Sequence, residues 1–289
     1  MNYRHAFHAG NFADVHKHAA LVLVLQHLRQ KDAAFRVVDT HAGAGRYNLA
    51  GEEAERTGEW RGGIGRLMPR LRDAADTGSL TAEATALLKT YFDAVAGENQ
   101  NGELRYPGSP LIVRHLLRPQ DRLIACESEP GAARKLERTL GVDKRTKAIE
   151  IDGWKALTAY IPPKERRGLV LIDPPYERPD EFEHLAGAVA EAWRKWPGGI
   201  YMIWYPIKDV GASNKLARSL DKSITTGILR SELSFAETPT DKLRGSGLLI
   251  INPPWRFDAQ LRVIGPALAK ALTSENPCRS SLEWIRAAA

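Results

Sequence analysis

Residues 35–45 read Phe-Arg-Val-Val-Asp-Thr-His-Ala-Gly-Ala-Gly, an apolar run that leads directly into a glycine-rich turn. Gly43 and Gly45 stand one residue apart, and glycine allows a tight turn and a close approach of the backbone to a ligand. Nucleotide-like cofactors are held by a strand, such a turn and the helix that follows. Because a purely structural turn uses the same residues, this stretch indicates a cofactor site only together with other signals.

The turn departs from the dinucleotide-binding motif G-x-G-x-x-G, which has glycine where this chain has Asn48. The acidic residue expected at a strand end about 20 residues further on, where a dinucleotide's ribose is bound, is also missing. These two departures argue against an NAD-dependent enzyme.

Short apolar runs with the spacing of strands continue along the chain. Several are continuous rather than alternating, which favours central strands covered on both faces. Helical patterns lie between most of them, and this alternation predicts an α/β fold with a doubly wound, Rossmann-like, mostly parallel sheet. The last two runs have no clear helix between them, which suits an antiparallel hairpin at the sheet edge. The seven predicted strands are 35–40, 122–127, 148–152, 169–173, 199–204, 227–235 and 247–252.

The first and second predicted strands are separated by about eighty residues, far more than one connecting helix needs. Within this gap the apolar residues of 80–97 recur at helical spacing, with Thr81 as a candidate N-cap and Gly97 near the C-terminus. We therefore expect a helical subdomain at 50–106, inserted into a sheet domain made of 1–49 and 107–289.

Acidic residues stand at the ends of the second and third predicted strands. Glu127 is placed to accept hydrogen bonds from two ribose hydroxyls, and Asp152, followed by Gly153, to meet an adenine amino group. Acids also close strands simply as turn formers, and for either residue alone that interpretation is the stronger one. The two together, in register with the glycine turn, favour a cofactor site.

The most specific signal is Asp173-Pro174-Pro175-Tyr176, directly after the fourth predicted strand. The exocyclic amine of adenine is a poor nucleophile, and the Asp173 carboxylate and the Pro174 carbonyl can hold its two hydrogens in a geometry that favours attack. Two prolines stiffen the turn, and Tyr176 offers a face on which a flipped base can stack. The alternative is a rigid turn without chemistry. Asn252-Pro253-Pro254-Trp255 fits the same pattern, but it follows the seventh predicted strand and is expected to be a turn away from the cofactor crevice.

The N-terminal residues 3–18 carry four of the eight histidines, with Arg4, Lys17 and aromatic residues between them. No Cys or Glu lies in this segment, so no metal site is expected. Basic and aromatic residues in alternation suit a nucleic-acid contact. Asp14 as the cap of a packed helix from Val15 is the other interpretation, and both can hold.

Composition narrows the partner and the class of protein. The chain has 289 residues, a net charge of +6 and a pI of about 9.3, which suits either an acidic partner such as nucleic acid or mere solubility. Two cysteines exclude a disulfide framework, and the longest apolar run, 19–25, is too short for a membrane helix. We expect a cytoplasmic protein without a membrane partner. The basic clusters 144–147 and 164–167 are each expected to be solvated faces.

These features together resemble the RlmJ family of 23S ribosomal RNA adenine-N6 methyltransferases. The resemblance implies a Rossmann-like S-adenosylmethionine-dependent fold with a helical insertion, S-adenosyl-L-methionine as the cofactor, and 23S rRNA, protein-free or in an early assembly state, as the partner. It implies adenine(2030)-N6 methylation and no obligate protein partner. It rests on Tyr-Arg-His-x-Phe-His-Ala-Gly-Asn (3–11), Asp-Thr-His-Ala-Gly-Ala-Gly-Arg-Tyr (39–47), Ala-Glu-Arg-Thr-Gly-Glu (54–59), Pro-Gly-Ser-Pro (107–110), Arg-Arg-Gly-Leu-x-Leu-Ile-Asp-Pro-Pro-Tyr (166–176), Trp-Tyr-Pro (204–206) and Ile-Asn-Pro-Pro-Trp (251–255).

The resemblance also assigns roles to residues of this chain. Asp173 is the implied catalytic acceptor, and the strand-end argument favours Glu127 over Glu129 as the ribose partner. Implied or inferred contacts with the cofactor are His18, His41, Gly43, Gly45, Ser109, Glu127, Asp152, Gly153 and Asp173, and those with the substrate are Tyr3, Arg4, Lys17 and Tyr176. Two rival functions share these signals: a DNA adenine-N6 methyltransferase, and a non-catalytic RNA-binding protein of the same fold.

Overall fold

The structure, a computed structural model, describes residues 4–72, 80–99, 103–236, 243–274 and 276–287. Its strands, in chain order, are β1 (Arg36–Asp39), β2 (Arg46–Asn48), β3 (Arg105–Pro107), β4 (Arg122–Glu127), β5 (Thr146–Glu150), β6 (Gly168–Ile172), β7 (Ile200–Ile207), β8 (Ile228–Phe235), β9 (Gly245–Ile251) and β10 (Cys278–Arg286).

The helices surround the strands, and a short 3-10 helix, His5–Phe7, precedes them. They are α1 (Phe12–Arg29), α2 (Glu52–Thr57), α3 (Glu59–Gly62), α4 (Ile64–Arg72), α5 (Ala82–Gly97), α6 (Ser109–Leu116), α7 (Pro130–Leu140), α8 (Gly153–Ala159), α9 (Glu181–Lys195), α10 (Val210–Ser223) and α11 (Phe257–Leu272).

The central sheet has eight strands in the order β10-β8-β9-β7-β6-β1-β4-β5. The five strands from β7 to β5 are parallel, and β8, β9 and β10 add antiparallel pairings. The predicted mostly parallel α/β sheet and the antiparallel pairing of β8 with β9 are confirmed. The strand count and the edge were wrong, because β10 pairs with β8 beyond the hairpin. Most side chains of β10 are exposed or half-buried, and its sequence has no continuous apolar run. The strand was therefore not predicted.

Both faces of the sheet are covered, as the continuous apolar runs predict. In β6, Leu169 and Leu171 belong to one core cluster, whereas Val170 and Ile172 belong to another on the opposite face. All four side chains are completely buried, and each contributes about 1.5–3 kcal/mol of burial free energy. Burial on both faces makes β6 a fixed platform for the turn that follows it.

The most deeply buried helix is α1, which packs against α5, α6 and α11. This environment explains the apolar run 19–25. The helix begins earlier than the Val15 start proposed from the sequence. Its cap is Asn11 rather than Asp14, since the Asn11 side chain accepts the backbone N–H groups of Ala13 and Asp14, both at 3.0 Å. Among the described residues, no helix is long and apolar enough to cross a bilayer.

Helices α2 to α5 occupy the long interval after the glycine turn, and β2 and β3 pair antiparallel where the chain enters and leaves it. Thr81 caps α5 as predicted, accepting the N–H of Ala84 at 3.1 Å. Leu88, Tyr91 and Val95 of α5 are buried in the same cluster as the residues of α1. The insertion therefore packs on the common core, and a separate subdomain at 50–106 stays a prediction.

Candidate active site

A pocket opens at the carboxyl ends of β1, β4 and β6, the edge at which ligands bind in open α/β sheets. The turn after β1, the end of β4, the start of α6, the turn after β6 and the start of α1 contribute to its wall. The sequence-predicted residues that line it are Arg4, Lys17, His18, His41, Gly43, Ser109, Glu127 and Asp173. Those outside the lining are Gly45, Asp152, Gly153, Pro174 and Tyr176. Tyr3 lies outside the described residues.

The glycine turn needs both of its glycines, for different reasons. Gly43 has φ of +61°, and a Cβ there would lie 2.1 Å from the Tyr47 hydroxyl oxygen. That hydroxyl accepts the N–H of Ala44 at 3.0 Å and so stabilises the turn. Gly45, at φ +77°, faces α7, where a Cβ would lie 3.1 Å from Leu136. Gly43 therefore shapes the pocket, whereas Gly45 allows the adjacent helix to pack.

Glu127 is the carboxylate that faces the pocket beside this turn. Its Oε2 accepts the N–H of Gly43 and its Oε1 accepts the N–H of Glu129, both at 2.8 Å. Each oxygen keeps a second acceptor site, and the residue is 8% exposed. Glu129, the alternative ribose partner, uses its carboxylate to cap α7 through the N–H groups of Gly131 and Ala132. Both residues line the pocket, but the Glu129 carboxylate is engaged as a helix cap, whereas that of Glu127 is fixed by the turn and keeps free acceptor sites.

Asp152 does not end a strand, because β5 stops at Glu150. It caps α8 instead: its Oδ1 accepts the N–H groups of Trp154 at 3.1 Å and Lys155 at 3.0 Å. Gly153 then passes so close to the turn after β1 that a Cβ would lie 2.4 Å from the Thr40 carbonyl oxygen. The two residues support the pocket from behind rather than line it.

Two neutral histidines stand in the pocket wall. Burial lowers the pKa of His41 to about 4 and that of His18 to about 3. His18 Nδ1 lies 2.8 Å from the Tyr106 hydroxyl, whereas its buried Nε2 has no hydrogen-bond partner among the described residues. That nitrogen is closed off from solvent and lies 4.0 Å from Asp14 Oδ1, so His18 contributes to the pocket wall through the rest of its ring.

Ser109 joins the wall from the first turn of α6. Its hydroxyl donates to Asp39 Oδ2 at 2.6 Å, and Asp39 is completely buried at the end of β1. Burial raises the pKa of Asp39 to about 7, an effect opposed by the hydrogen bond from Ser109. The Ser109 oxygen keeps its acceptor sites for a ligand while its proton is used internally.

An ion cluster joins the N-terminal helix to the turn after β6. Lys17 donates to Asp173, and its Nζ also lies 2.9 Å from Asp14 Oδ1. Burial by itself would lower the pKa of Lys17, but the two carboxylates raise that pKa above its ordinary value. Burial would raise the pKa of Asp14, yet Lys17, His5 and His18 hold that pKa well below its usual range. Both partners are therefore charged inside the protein.

Lys17 was predicted to contact the substrate because it is a basic residue among aromatics, and a contact inside the pocket stays a prediction. It is only 4% exposed, and its charge is engaged by two carboxylates, so it is not available as a surface contact for RNA phosphates. Arg4, by contrast, is exposed at the pocket wall, where it pairs with Glu53 at 2.9 Å.

The Asp-Pro-Pro-Tyr turn is stiffened by its aromatic end. Tyr176 has φ of +53°, a left-handed conformation that is uncommon for a non-glycine residue. Its hydroxyl donates to the Trp204 carbonyl at 2.5 Å, and its ring centroid lies 5.6 Å from that of Trp204 and 5.2 Å from that of Phe182. The face predicted to be open for stacking is thus half-buried. The Trp204 indole is itself held through a hydrogen bond to Ser246 at 3.0 Å.

The second [Asp/Asn]-Pro-Pro-aromatic sequence lies at the other end of the sheet, as predicted. Asn252 follows β9, which runs antiparallel to β7, so it reaches the amino edge of the parallel strands. Its side-chain amide donates to the carbonyls of Pro197 at 2.5 Å and Gly199 at 2.7 Å. It is therefore a structural turn remote from the pocket.

Comparison with known proteins now decides the family. The family described as "Ribosomal RNA large subunit methyltransferase D, RlmJ" matches residues 32–286. The chain belongs to this family. Two proteins named ribosomal RNA large subunit methyltransferase J are similar to it over 99% of both chains: that of Escherichia coli K12 is 39% identical and that of Haemophilus influenzae is 40% identical.

A solved structure shares the fold of this RlmJ-family chain. The crystal structure of protein LPL1258 from Legionella pneumophila is 31% identical, has a TM-score of 0.86, and covers 96% of this chain and 98% of its own. The fold is therefore the α/β methyltransferase fold, with a mostly parallel central sheet flanked by helices.

Three residues of this RlmJ-family site were assigned no role in it from the sequence. Asp14 holds Lys17, Tyr47 holds the glycine turn, and Trp204 holds Tyr176. The i,i+3 spacing of Asp14 and Lys17 on one helix is a signal that sequence inspection can use. The sequence does not indicate the partners of Tyr47 and Trp204. The contact of Tyr47 depends on the shape of the glycine turn, and that of Trp204 on the position of the turn after β6.

Proposed function

We propose that this protein transfers a methyl group from S-adenosylmethionine to N6 of an adenine in 23S rRNA. One observation carries the proposal: the Asp173 carboxylate opens on the same pocket as Gly43 and Glu127. Asp173, the acceptor for the amine, thus shares one cavity with Gly43 and Glu127, the residues expected to bind a nucleoside. The names of the relatives from Escherichia coli and Haemophilus influenzae support ribosomal RNA as the substrate.

The residues present suit S-adenosylmethionine. The two free acceptor sites of Glu127 match a pair of ribose hydroxyls, and the His18 ring lines the same pocket. We assign further contacts to Gly43, His41 and Ser109, with Asp152 and Gly153 behind them. When bound, this cofactor supplies an electrophilic methyl group on a positively charged sulfonium.

The chain's own contribution is mainly to position the amine. Lys17 engages Asp173 Oδ2, which leaves Oδ1 as the acceptor for one N6 hydrogen. The Pro174 carbonyl is our candidate for the second, and the prolines fix its direction. After transfer the amine nitrogen carries a positive charge and loses a proton to Asp173 or to water. The carboxylate therefore needs no strong basicity.

The target base needs an aromatic wall. Tyr176 and Trp204 are both half-buried next to the pocket, and their contact fixes the angle between the rings. We infer that a flipped adenine stacks here, while Arg4 at the pocket wall meets its phosphate. Tyr3 stays our candidate for a further substrate contact.

The test compares Asp173→Ala with Asp173→Asn on deproteinised 23S rRNA from a strain that lacks this activity. We expect Asp173→Ala to lose transfer by about 100- to 1,000-fold or more while calorimetry still detects binding of S-adenosylmethionine, since Glu127 and Gly43 are unchanged. Asp173→Asn retains an acceptor oxygen and should retain part of the activity. Mass spectrometry of the RNA must show one new N6-methyladenine.

Three outcomes would contradict the proposal. Full activity in Asp173→Ala would remove the catalytic role of the Asp-Pro-Pro-Tyr turn. Transfer to duplex DNA but not to rRNA would favour the DNA methyltransferase, and failure of the wild-type protein to bind S-adenosylmethionine would favour a non-catalytic RNA-binding protein.

A further inference from the structure

A second concave surface lies at the amino ends of the strands, opposite the pocket. It encloses about 490 Å³, and we call it the amino-edge groove. The first residues of β1, β4 and β5 contribute to it, as does the loop between α8 and β6. Its cationic lining residues are Arg36, Arg122, Lys144, Arg145, Lys147 and Lys164.

The lining contains six cationic residues and no carboxylate. Arg36 is neutralised by Glu165 through hydrogen bonds of 2.6 and 3.0 Å, and Arg145 by Asp143 at 2.7 Å. The other four lining cations form no ion pair in the described part of the chain, although Arg122 interacts with Glu165 at longer range.

The remaining four cations are Arg122 and three lysines. Arg122 donates only to the backbone carbonyls of Pro119 at 2.8 Å and Asp121 at 2.7 Å. Lys144, Lys147 and Lys164 are exposed and form no ion pair in the described part of the chain. Three exposed lysines without an ion pair, with Arg122 beside them, concentrate positive charge in one groove. Such a concentration of charge has the character of a binding surface for a polyanion.

Two sequence clusters form this surface only after folding. Lys144 and Lys147 flank the start of β5, whereas Lys164 follows the Pro162-Pro163 segment before β6. The Arg145 side chain fixes the first segment by donating to the Leu117 carbonyl at 2.6 Å and to Asp143. Each cluster alone resembles a solvated face, but the fold brings both to one groove.

We propose that the amino-edge groove binds the phosphate backbone of the RNA substrate at a distance from the target adenine. The inference rests on the proposed function, because it takes the substrate to be RNA. Arg122 and Glu127 are the first and last residues of β4, so the groove and the pocket lie about 17 Å apart along that strand. A folded RNA element is large enough to contact both, and RNA is recognised largely through its shape and phosphates.

The test replaces Lys144, Lys147 and Lys164 together by Gln. A matched control replaces Lys195, Lys215 and Lys222, three exposed lysines of α9 and α10, so that both proteins lose the same charge. Methylation of deproteinised 23S rRNA is measured as kcat and KM, RNA binding as Kd between 50 and 200 mM NaCl, and S-adenosylmethionine binding by calorimetry.

For the groove variant we expect Kd and KM for RNA to rise about tenfold, and kcat and cofactor affinity to stay unchanged. The slope of log Kd against log salt should fall by about 2–3, one phosphate contact for each lysine. The control should match the wild-type protein in all of these quantities.

Equal Kd values and salt slopes in the groove variant and the control would overturn the groove proposal. So would a fall in kcat with unchanged RNA binding. If the wild-type protein methylates no RNA while it binds RNA tightly, the proposed function fails but the groove comparison still stands.

Discussion

The pocket and the amino-edge groove stand at opposite ends of the same strands, and both contain lysine. In the pocket, Lys17 is buried between Asp14 and Asp173, and its charge is fully engaged. In the groove, Lys144, Lys147 and Lys164 are exposed without acidic partners in the described residues. The first arrangement fixes a geometry and is insensitive to salt, whereas the second attracts a polyanion and is screened by salt. Burial rather than residue type thus decides what a lysine does here.

Lys17→Met should cause the largest loss of stability and activity. Removal of the cation leaves the Asp14 and Asp173 carboxylates without their partner in a buried site, which costs about 3–5 kcal/mol of the free energy of unfolding. Methyl transfer should also be lost. Denaturant unfolding and the methylation assay measure both effects.

Lys144→Met is the matched control, since it changes the same residue type at an exposed position. It should alter the free energy of unfolding by less than about 0.5 kcal/mol. Similar stability losses in the two variants would contradict the distinction between pocket and groove.

Acidification should change the contribution of the buried histidines to stability and leave the charges of the groove lysines unchanged. Burial lowers the pKa of His16 and of His18 to about 3, and that of His41 to about 4, so between these values and about 6.5 only the unfolded chain binds their protons. Stability therefore falls as the pH drops from 7 to 5. Asp39, with its pKa raised to about 7, acts in the opposite direction and offsets one of the three histidines.

His16 allows a clean measurement, because it lies between Ser231 and Ser246, to which it is hydrogen-bonded at 3.1 and 3.0 Å. His16→Gln should reduce the loss of Tm between pH 7 and pH 5. The groove variant should lose as much Tm as the wild-type protein, since its lysines stay charged throughout this range. An unchanged pH dependence in His16→Gln would show that this histidine is not buried in its neutral form.

Gly43→Ala tests the shape of the pocket. Its Cβ would lie 2.1 Å from the Tyr47 hydroxyl oxygen, and φ of +61° disfavours alanine, so the turn must shift. We expect a stability cost of about 1–3 kcal/mol and a weaker affinity for S-adenosylmethionine, measured by calorimetry. Gly97→Ala at the end of α5, where a Cβ meets nothing within 4 Å, should bind the cofactor normally.

The smallest expected effect is an increase in RNA affinity. Glu165→Gln removes the carboxylate that neutralises Arg36 beside the groove, so RNA affinity should increase about two- to fourfold at 50 mM NaCl. The same change should cost about 1 kcal/mol of stability through the lost ion pair. A decrease in RNA affinity, measured by titration with 23S rRNA, would contradict an electrostatic groove.

Much of the fold was predictable because its signals are local. Continuous apolar runs mark β4, β6 and β9, since strands covered on both faces show no alternation. β10 escaped prediction because an edge strand with one face towards solvent carries no such run. Asp152 was assigned to a strand end because β5 was predicted two residues too late in the chain. The ends of a strand are harder to predict than its existence, because they depend on contacts with other parts of the fold.

The site was predictable where one short segment carries the chemistry. The glycine turn and Asp173-Pro174-Pro175-Tyr176 are motifs whose function depends on neighbouring residues, and the strand-end position of Glu127 followed from the order of elements. The burial of Tyr176 against Trp204 was not predictable, because 28 residues separate them and the contact depends on how two strands align.

The sequence by itself therefore determined most of the strands, the glycine turn and the Asp-Pro-Pro-Tyr turn, because periodicity and backbone freedom are properties of adjacent residues. Only the tertiary structure decided which charges meet. Lys17 and Asp173 are 156 residues apart, and Lys144 and Lys164 belong to separate segments. An electrostatic interaction depends on distance in space and on burial, and both are set only when the sheet and its helices have packed.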